Sequence, residues 1–225
     1  MAARATLMGH VPHLYIPPPW EAEALSLPDA QLHHLRKVLR LQSGAPVSYT
    51  DGRGLQGWGV LRGERVERGE ERETPRPTDV SVAVAPPTSR HRARYLVEKL
   101  GELGVEALLW LRTRHGEGRP PSPAKVLAWS VSALEQSRGA WLMETESVDW
   151  DQLSDRVLVV ADPAGESTVP SLVRPILVIG PEGGLSEDEI PASALRMCLG
   201  STVLRVETAA VVGAALLAPG RRDGG

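Results

Sequence analysis

Four aliphatic residues in a row, Ile176-Leu177-Val178-Ile179, run directly into Gly180-Pro181-Glu182-Gly183-Gly184-Leu185-Ser186. An unbroken apolar run of this length suits a strand covered on both faces, as in a parallel sheet. Proline and three glycines then force a tight turn. Ser186 with Glu189 has the spacing of a capping box and opens a helical segment. In an open α/β sheet, ligands bind outside the carboxyl ends of the strands. Glycines there let a ligand approach the main chain, whose N–H and C=O groups can bind an adenine edge. The alternative is a strand-to-helix turn that holds no ligand.

The surrounding chain repeats the alternation. Val80–Ala85 reads as a strand and Ser89–Leu103 as a helix that Gly104 ends. Ala107–Leu111 is an apolar strand, and Ser122–Ser137 is a helix with proline at its second position. Val157–Ala161 suits another buried strand. From Ser186 to Leu199 the pattern is helical in two pieces, divided at Pro191. Thr202–Val206 reads as a strand and Glu207–Leu217 as a helix. The sum is an α/β domain with a mostly parallel sheet. The last helix is apolar nearly all round (Ala209-Ala210-Val211-Val212-Gly213-Ala214-Ala215), so it belongs in a core or a subunit interface. Arg205 and Glu207 sit beside its start. They are either a structural ion pair or groups that face a ligand.

The first third reads differently. Ala30–Leu41 is helical, with Leu32, Leu35, Val38 and Leu39 on one face. Pro46–Thr50 and Gly57–Arg62 read as strands around an Asp51-Gly52 turn. Small β-rich units of this kind are often barrels. Gly63–Pro77 is charged and carries prolines. It is an exposed hairpin plus linker or a linker alone, and the boundary is expected near Thr74. Gly52-Arg53-Gly54-Leu55-Gln56-Gly57 matches G-x-G-x-x-G. That motif requires a helix after it, and Trp58-Gly59-Val60-Leu61 reads as a strand, so the glycines belong to a hairpin.

Charge and cysteine usage narrow the function. The net charge of −3 does not describe a protein that is basic throughout. It is uneven, however. Pro86–Arg119 holds seven Arg/Lys against four Glu, whereas Gly139–Pro191 holds eleven Asp/Glu against two Arg. One cationic face is therefore possible. All the lysines are Lys37, Lys99 and Lys125. An arginine bias in the genome explains this as well as phosphate binding does. His33, His34 and His91 lack partners at ligand spacing, so no metal site is expected. With Cys198 as the one cysteine, no internal disulfide can form, which fits a cytoplasmic protein. Met1–His13 lacks the apolar stretch of a signal peptide, and no transmembrane run is present. The tail Pro219–Gly225 is expected to be disordered.

Several segments, in order, resemble the RsmE family of 16S rRNA uridine-N3 methyltransferases, within the SPOUT superfamily. They are His33-His34-Leu35-Arg36-Lys37-Val38-Leu39-Arg40-Leu41 with Asp51–Gly54, and Glu98-Lys99 with Glu102–Val105. Glu135-Gln136-Ser137, Ile179–Ser186, and Leu199-Gly200 with Leu204-Arg205 and Glu207–Ala209 complete the set. The likeness spans roughly Leu14–Leu217. It implies a PUA-like barrel that binds RNA over residues 1–74 and a SPOUT trefoil-knot methyltransferase domain over 75–225, in a homodimer. It implies S-adenosylmethionine (SAM) as cofactor and 16S rRNA in the small ribosomal subunit as substrate, at uridine 1498. Ile179, Gly180, Pro181, Glu182, Gly183 and Gly184 would form one SAM loop. Leu199, Gly200, Leu204, Arg205, Thr208 and Ala209 would form the others. His34, Arg36, Lys37, Arg40, Arg53, Gln136 and Arg138 would meet RNA, with a solvated charged face as the alternative for the first cluster. The chain departs from the family at Arg138-Gly139, where Gly-Arg is usual, at Ala140-Trp141-Leu142, where a proline is usual, and at Leu185, where an aromatic is common.

Such chemistry assigns roles. Uracil N3 is a poor nucleophile until it loses its proton. Arg205 cannot be the base, because a guanidinium stays protonated, but it can stabilise the developing anion. Glu182 and Glu207 are candidate bases, or else groups that hold the turn or cap the helix. Paired uracil hides N3, so the target must be unpaired or flipped out. Two rivals stand beside this reading: a methyltransferase of the same superfamily acting on tRNA, and a non-catalytic RNA-binding module.

Overall fold

The computed structural model describes residues 11–20 and 22–218. The readings of Met1–His10 and Pro219–Gly225 fall on residues outside these ranges. The chain forms two compact units. One comprises residues up to 76 together with 134–142, and the other comprises 77–133 together with residues from 143 onward.

In the first unit, five strands form one mixed sheet in the order β1-β3-β4-β5-β2. They are β1 (His13–Tyr15), β2 (Ala24–Ser26), β3 (Pro46–Thr50), β4 (Leu55–Arg62) and β5 (Arg65–Glu73). β1 runs parallel to β3, and the other pairs are antiparallel. The charged stretch after Gly63 is therefore a hairpin, and its strand β5 contributes one wholly buried side chain, Val66. Asp51 Oδ1 accepts from the N–H groups of Arg53 and Leu55, at 2.7 and 3.1 Å, and shapes the turn into β4. The G-x-G-x-x-G segment thus leads into a strand and lacks the helix a dinucleotide site needs. Tyr49 lies wholly buried at the centre and donates to Glu71 Oε1 at 2.8 Å. Burial, with that acceptor, pushes its phenol up to about 12.

The expected helix at 30–41 is shorter and irregular. Helix α1 (Asp29–His33) gives way to a π-helical turn over His34–Val38, and Arg40 follows in the left-handed region at φ 53°. Leu35 is buried, while Val38 and Leu39 are exposed, so only part of the expected apolar face reaches the core. The sequence reading also drew one boundary near Thr74, whereas residues 134–142 join the first unit. Their polar contacts explain it. Glu135 accepts from Tyr15 N–H at 2.9 Å and Gln31 at 2.8 Å, and His13 Nε2 lies 2.9 Å from the Gly139 carbonyl. Trp141 donates to the Thr74 carbonyl at 2.7 Å. Buried groups of this kind need partners, and these are specific to the segment.

The second unit is α/β. Six parallel strands lie in the order β11-β9-β10-β6-β7-β8. They are β6 (Ser81–Val84), β7 (Ala107–Leu111), β8 (Glu144–Val148), β9 (Leu158–Glu166), β10 (Ile176–Ile179) and β11 (Leu195–Met197). The helices are α2 (Arg90–Glu102), α3 (Pro123–Ser137), of which residues 123–133 belong to this unit, and α4 (Val206–Leu217). Successive strand side chains point to opposite faces. Leu177 and Ile179 pack with Leu96, Leu100 and Ala210 on one side of the sheet, and Ile176 and Val178 pack with Leu109 and Leu158 on the other. Each such burial contributes roughly 1.5–3 kcal/mol. Helix α4 lies against β10, β6 and α2. A Cβ on Gly213 would stand 2.6 Å from Leu177 Cδ2. Glycine there sets how closely α4 approaches the sheet.

Two further expectations give way. Ser186–Leu199 holds a single 3-10 turn, Glu187–Glu189, with the capping box in place, and no second helical piece. The chain instead becomes strand β11, because Pro191 cannot extend the turn and Leu195–Met197 finds open pairing positions along β9. Thr202–Val206 forms no strand. Val203 is 90% exposed, and the segment borders a cavity rather than a partner strand. Strand β8, which carries exposed polar residues at four of five positions, gave no apolar signal to read. Replacing Gly213→Val is expected to lower stability by about 1–3 kcal/mol through overpacking against Leu177, measured by chemical denaturation. An unchanged midpoint would show that α4 is held by other contacts.

Candidate functional site

At the carboxyl end of β10, beside the middle of β9, the second unit opens into a cavity of about 590 Å³. That volume lies within the range of small-molecule sites, roughly 300–1,000 Å³. The site forms because β10 ends in Gly180-Pro181, where the chain must leave the sheet. Ile179, Gly180, Pro181, Glu182 and Gly184 line one wall, and Leu199, Gly200, Leu204, Arg205 and Ala209 line another. These two sets lie some twenty residues apart in sequence, and the fold brings them together. Gly183 and Thr208 do not line the cavity. The Cα of Gly183 faces His115, and Thr208 is exposed. Gly184 sits at φ 77°, with nothing within 4 Å of where a Cβ would be. Nothing lies within 4 Å of that position at Gly200 either. Both walls therefore offer uncovered main chain, and Ile179, Leu199, Leu204 and Ala209 supply apolar surface between them. This is a fitting surface for a flat heterocycle with a polar edge. Leu185, where the family commonly carries an aromatic, packs its Cγ against Gly180.

Ion pairs hold the rim. Arg196 lies between Asp162, at 2.7 Å, and Glu187, which accepts from both its terminal nitrogens. The N–H of Ala164, then Arg196, holds the Asp162 carboxyl below the usual carboxylate range. Arg114 grips both oxygens of Asp188, at 2.9 and 2.6 Å, while its own N–H donates to Glu189 at 2.6 Å. The segment after β7 is thereby tied to the segment after β10. None of Asp162, Arg196 and Arg114 was a candidate from sequence. A charged residue at the end of an apolar strand was the one signal available, and only for Asp162.

Glu182 and Glu207 differ in setting. Both are bound by Arg92, on the first turn of α2, which sequence reasoning also passed over. Arg92 Nη1 donates to Glu182 Oε1, and its Nε donates to Glu207 Oε2 at 2.9 Å. Glu182 is more than half exposed, lines the cavity and, among the described residues, has its second oxygen uncommitted. The Glu207 side chain is 13% exposed and does not line the cavity. Burial pushes the Glu207 carboxyl up, but hydrogen bonds from Arg92 and its own N–H outweigh this and hold it below the usual range. Arg205 is the N-cap residue of α4, is exposed and lines the cavity. It makes no ion pair among the described residues, so the structural pairing with Glu207 is not the one the fold uses.

The candidate RNA-contacting residues fall in two groups within the first unit. His34, Arg36, Lys37 and Arg40 are exposed on and after the π-helical turn, with Arg36 3.3 Å from Glu64. Arg53 and Gln136 are exposed elsewhere on that unit. Arg138, at φ 58°, turns inward. Its guanidinium donates to the Val11 carbonyl, and its own carbonyl accepts from Gln56 at 3.0 Å.

Because the folded Glu207 carboxyl is depressed, its stabilising effect is complete above its ordinary value of 4.5 and is lost as pH falls through the lower folded value. Glu207→Gln is expected to cost about 1.5–3 kcal/mol at neutral pH, with the difference from wild type closing in acid. A difference that does not change with pH would contradict the pairing with Arg92.

Residues 74–218 match the family model described as RNA methyltransferase domain. The chain is 26% identical to the ribosomal RNA small subunit methyltransferase E of Synechocystis sp., over 84% of this chain and 70% of that protein. Two solved structures share the fold. A probable rRNA-methyltransferase from Porphyromonas gingivalis superposes with a TM-score of 0.79 at 24% identity, covering 91% of this chain and 96% of its own. A ribosomal RNA small subunit methyltransferase E from Neisseria gonorrhoeae, bound to S-adenosyl methionine, gives 0.78 at 22% identity, covering 92% and 96%. With the motifs in order along the chain and the family model spanning more than half of it, the protein belongs to the RNA methyltransferase domain family and is RsmE-like within it.

Proposed function

We propose that the protein uses SAM to methylate N3 of a uridine in the 16S rRNA of the small ribosomal subunit, at the position equivalent to uridine 1498. The observation that carries this reading is the cavity after β10, where open glycine main chain, apolar surface and an arginine without an ion pair among the described residues meet in a chain of the RNA methyltransferase family. The residues fit the cofactor. Main-chain groups of Gly180, Pro181, Glu182 and Gly184, with those of Leu199-Gly200, would hold the adenine and ribose, with Leu204 and Ala209 flanking them. When bound, SAM supplies a methyl group made electrophilic by its sulfonium.

The remaining work falls to the protein. Holding uracil N3 in line with the methyl group supplies up to roughly 7–11 kcal/mol of the barrier in the best cases. Arg205 would face the charge that grows on the uracil oxygens as N3 loses its proton. Of the two candidate bases, Glu182 is the better placed to take that proton, because it lines the cavity with one oxygen free. Glu207 would act on the first turn of α4. The first unit, read as a PUA-like barrel, would grip phosphates through His34, Arg36, Lys37, Arg40 and Arg53, with Gln136 and Arg138 beside them. The second unit is read as a trefoil knot. The path from β10 out to edge strand β11 and back to α4 is consistent with that reading. The homodimer is read from the family resemblance alone. A cytoplasmic location follows from the substrate.

The test is methyl transfer from labelled SAM to unmodified small subunits, free 16S rRNA and total tRNA, with the product nucleoside identified by mass. Label as 3-methyluridine in the ribosomal substrate is expected, and Arg205→Ala should cut kcat by about 10²–10³. Label in tRNA would overturn the substrate. No label anywhere, beside an active control enzyme, would leave an RNA-binding module.

A further inference from the structure

Arg92 occupies a position that the proposed reaction does not by itself require. It stands on the first turn of α2, with its side chain one quarter exposed, and two carboxylates from two different segments converge on it. Glu182 comes from the glycine loop after β10, and Glu207 comes from the first turn of α4. The contacts are unequal. Nε donates to Glu207 Oε2 at 2.9 Å, while Nη2 lies 2.7 Å from the same oxygen without a hydrogen bond in line. Nη1 donates to Glu182 Oε1. By contrast, Arg94 on the same helix pairs with Glu98 one turn along, which is an ordinary surface pair.

The arrangement bears on Arg205. That residue lies two positions before Glu207, and its charge acts on the Glu207 carboxylate. It would be the natural partner for Glu207 if Arg92 were missing. With Arg92 in place, Glu207 is satisfied, and Arg205 stands on the cavity wall without an ion pair among the described residues. We infer that Arg92 is a positioning residue that ties the glycine loop to the first turn of α4 and, by occupying Glu207, keeps Arg205 turned to the substrate. This rests on the proposed use of the cavity. A planar guanidinium can address two carboxylates in different directions, whereas a lysine ammonium is a single point charge without that fork.

The experiment measures single-turnover methyl transfer to small subunits at saturating SAM, with SAM affinity by calorimetry, for wild type, Arg92→Ala, Glu207→Gln and the double variant. Arg92→Ala is expected to lower the rate by about 100-fold, the scale of a displaced catalytic group. Adding Glu207→Gln to Arg92→Ala should recover at least about tenfold, because the neutral amide no longer draws Arg205 away. A purely structural arginine would also be relieved by Glu207→Gln, because the uncompensated carboxylate is gone, but that relief would appear in the denaturation midpoint, with folded Arg92→Ala turning over at the wild-type rate. Wild-type rate in Arg92→Ala, or a double variant no faster than Arg92→Ala, would overturn the inference. If Arg92→Ala does not fold, Arg92→Met keeps the aliphatic stem and carries the same comparison. Failure of the cavity reading is seen separately: wild type that neither binds SAM nor transfers methyl would overturn the proposed function and this inference with it.

Discussion

Burial of β10 on both faces is the constraint on which the rest of the second unit depends. A strand with Leu177 and Ile179 to one side and Ile176 and Val178 to the other needs two apolar layers to cover it. Helix α4 supplies much of one layer, and it fits because Gly213 leaves room for Leu177. The same burial decides where the chain can open. Strand pairing and side-chain packing occupy β10 up to Ile179, so the first free main chain is at the glycines that follow. A ligand site at the end of this strand is a consequence of how tightly the strand itself is held.

Electrostatics then determines the character of the site. Four arginines stand on or near the rim, and three of them are committed. Arg196 is held by Asp162 and Glu187, Arg114 by Asp188, and Arg92 by Glu182 and Glu207. Arg205 makes no such pair among the described residues. An unpaired cation on a cavity wall is available to a group that becomes negative there, which is the demand of a reaction at a deprotonated ring nitrogen. In the first unit Arg36 and Lys37 are exposed on an irregular π-helical turn that also exposes Val38. Under the proposed function these side chains would meet unpaired RNA.

Much of this was legible in the residues. Apolar runs marked β6, β7, β9 and β10, because a buried parallel strand has few other ways to be written. The capping box at Ser186 and Glu189 formed as its spacing implied. The glycine loop and the Leu199–Arg205 segment were both found from local chemistry, and the fold joined them in one cavity. What escaped had no local signal. Strand β8 is polar at most positions, and β11 depends on a vacant edge of β9 rather than on its own three residues. Thr202–Val206 looks like a strand but has no neighbour to pair with. The role of Arg92 depends on two residues some 90 and 115 positions away. Its place among several arginines at the start of a helix gave no reason to choose it. Residues 134–142 likewise join the first unit through partners such as Tyr15 and Thr74, which only the folded chain brings near.

The most direct test of the central claim is hydrogen–deuterium exchange of the full chain with and without SAM. Slower exchange is expected in two stretches of the second unit alone, residues 179–185 and 199–209, because these supply the main-chain walls of the cavity. Protection at some other surface, or no change under conditions where SAM binds, would contradict it.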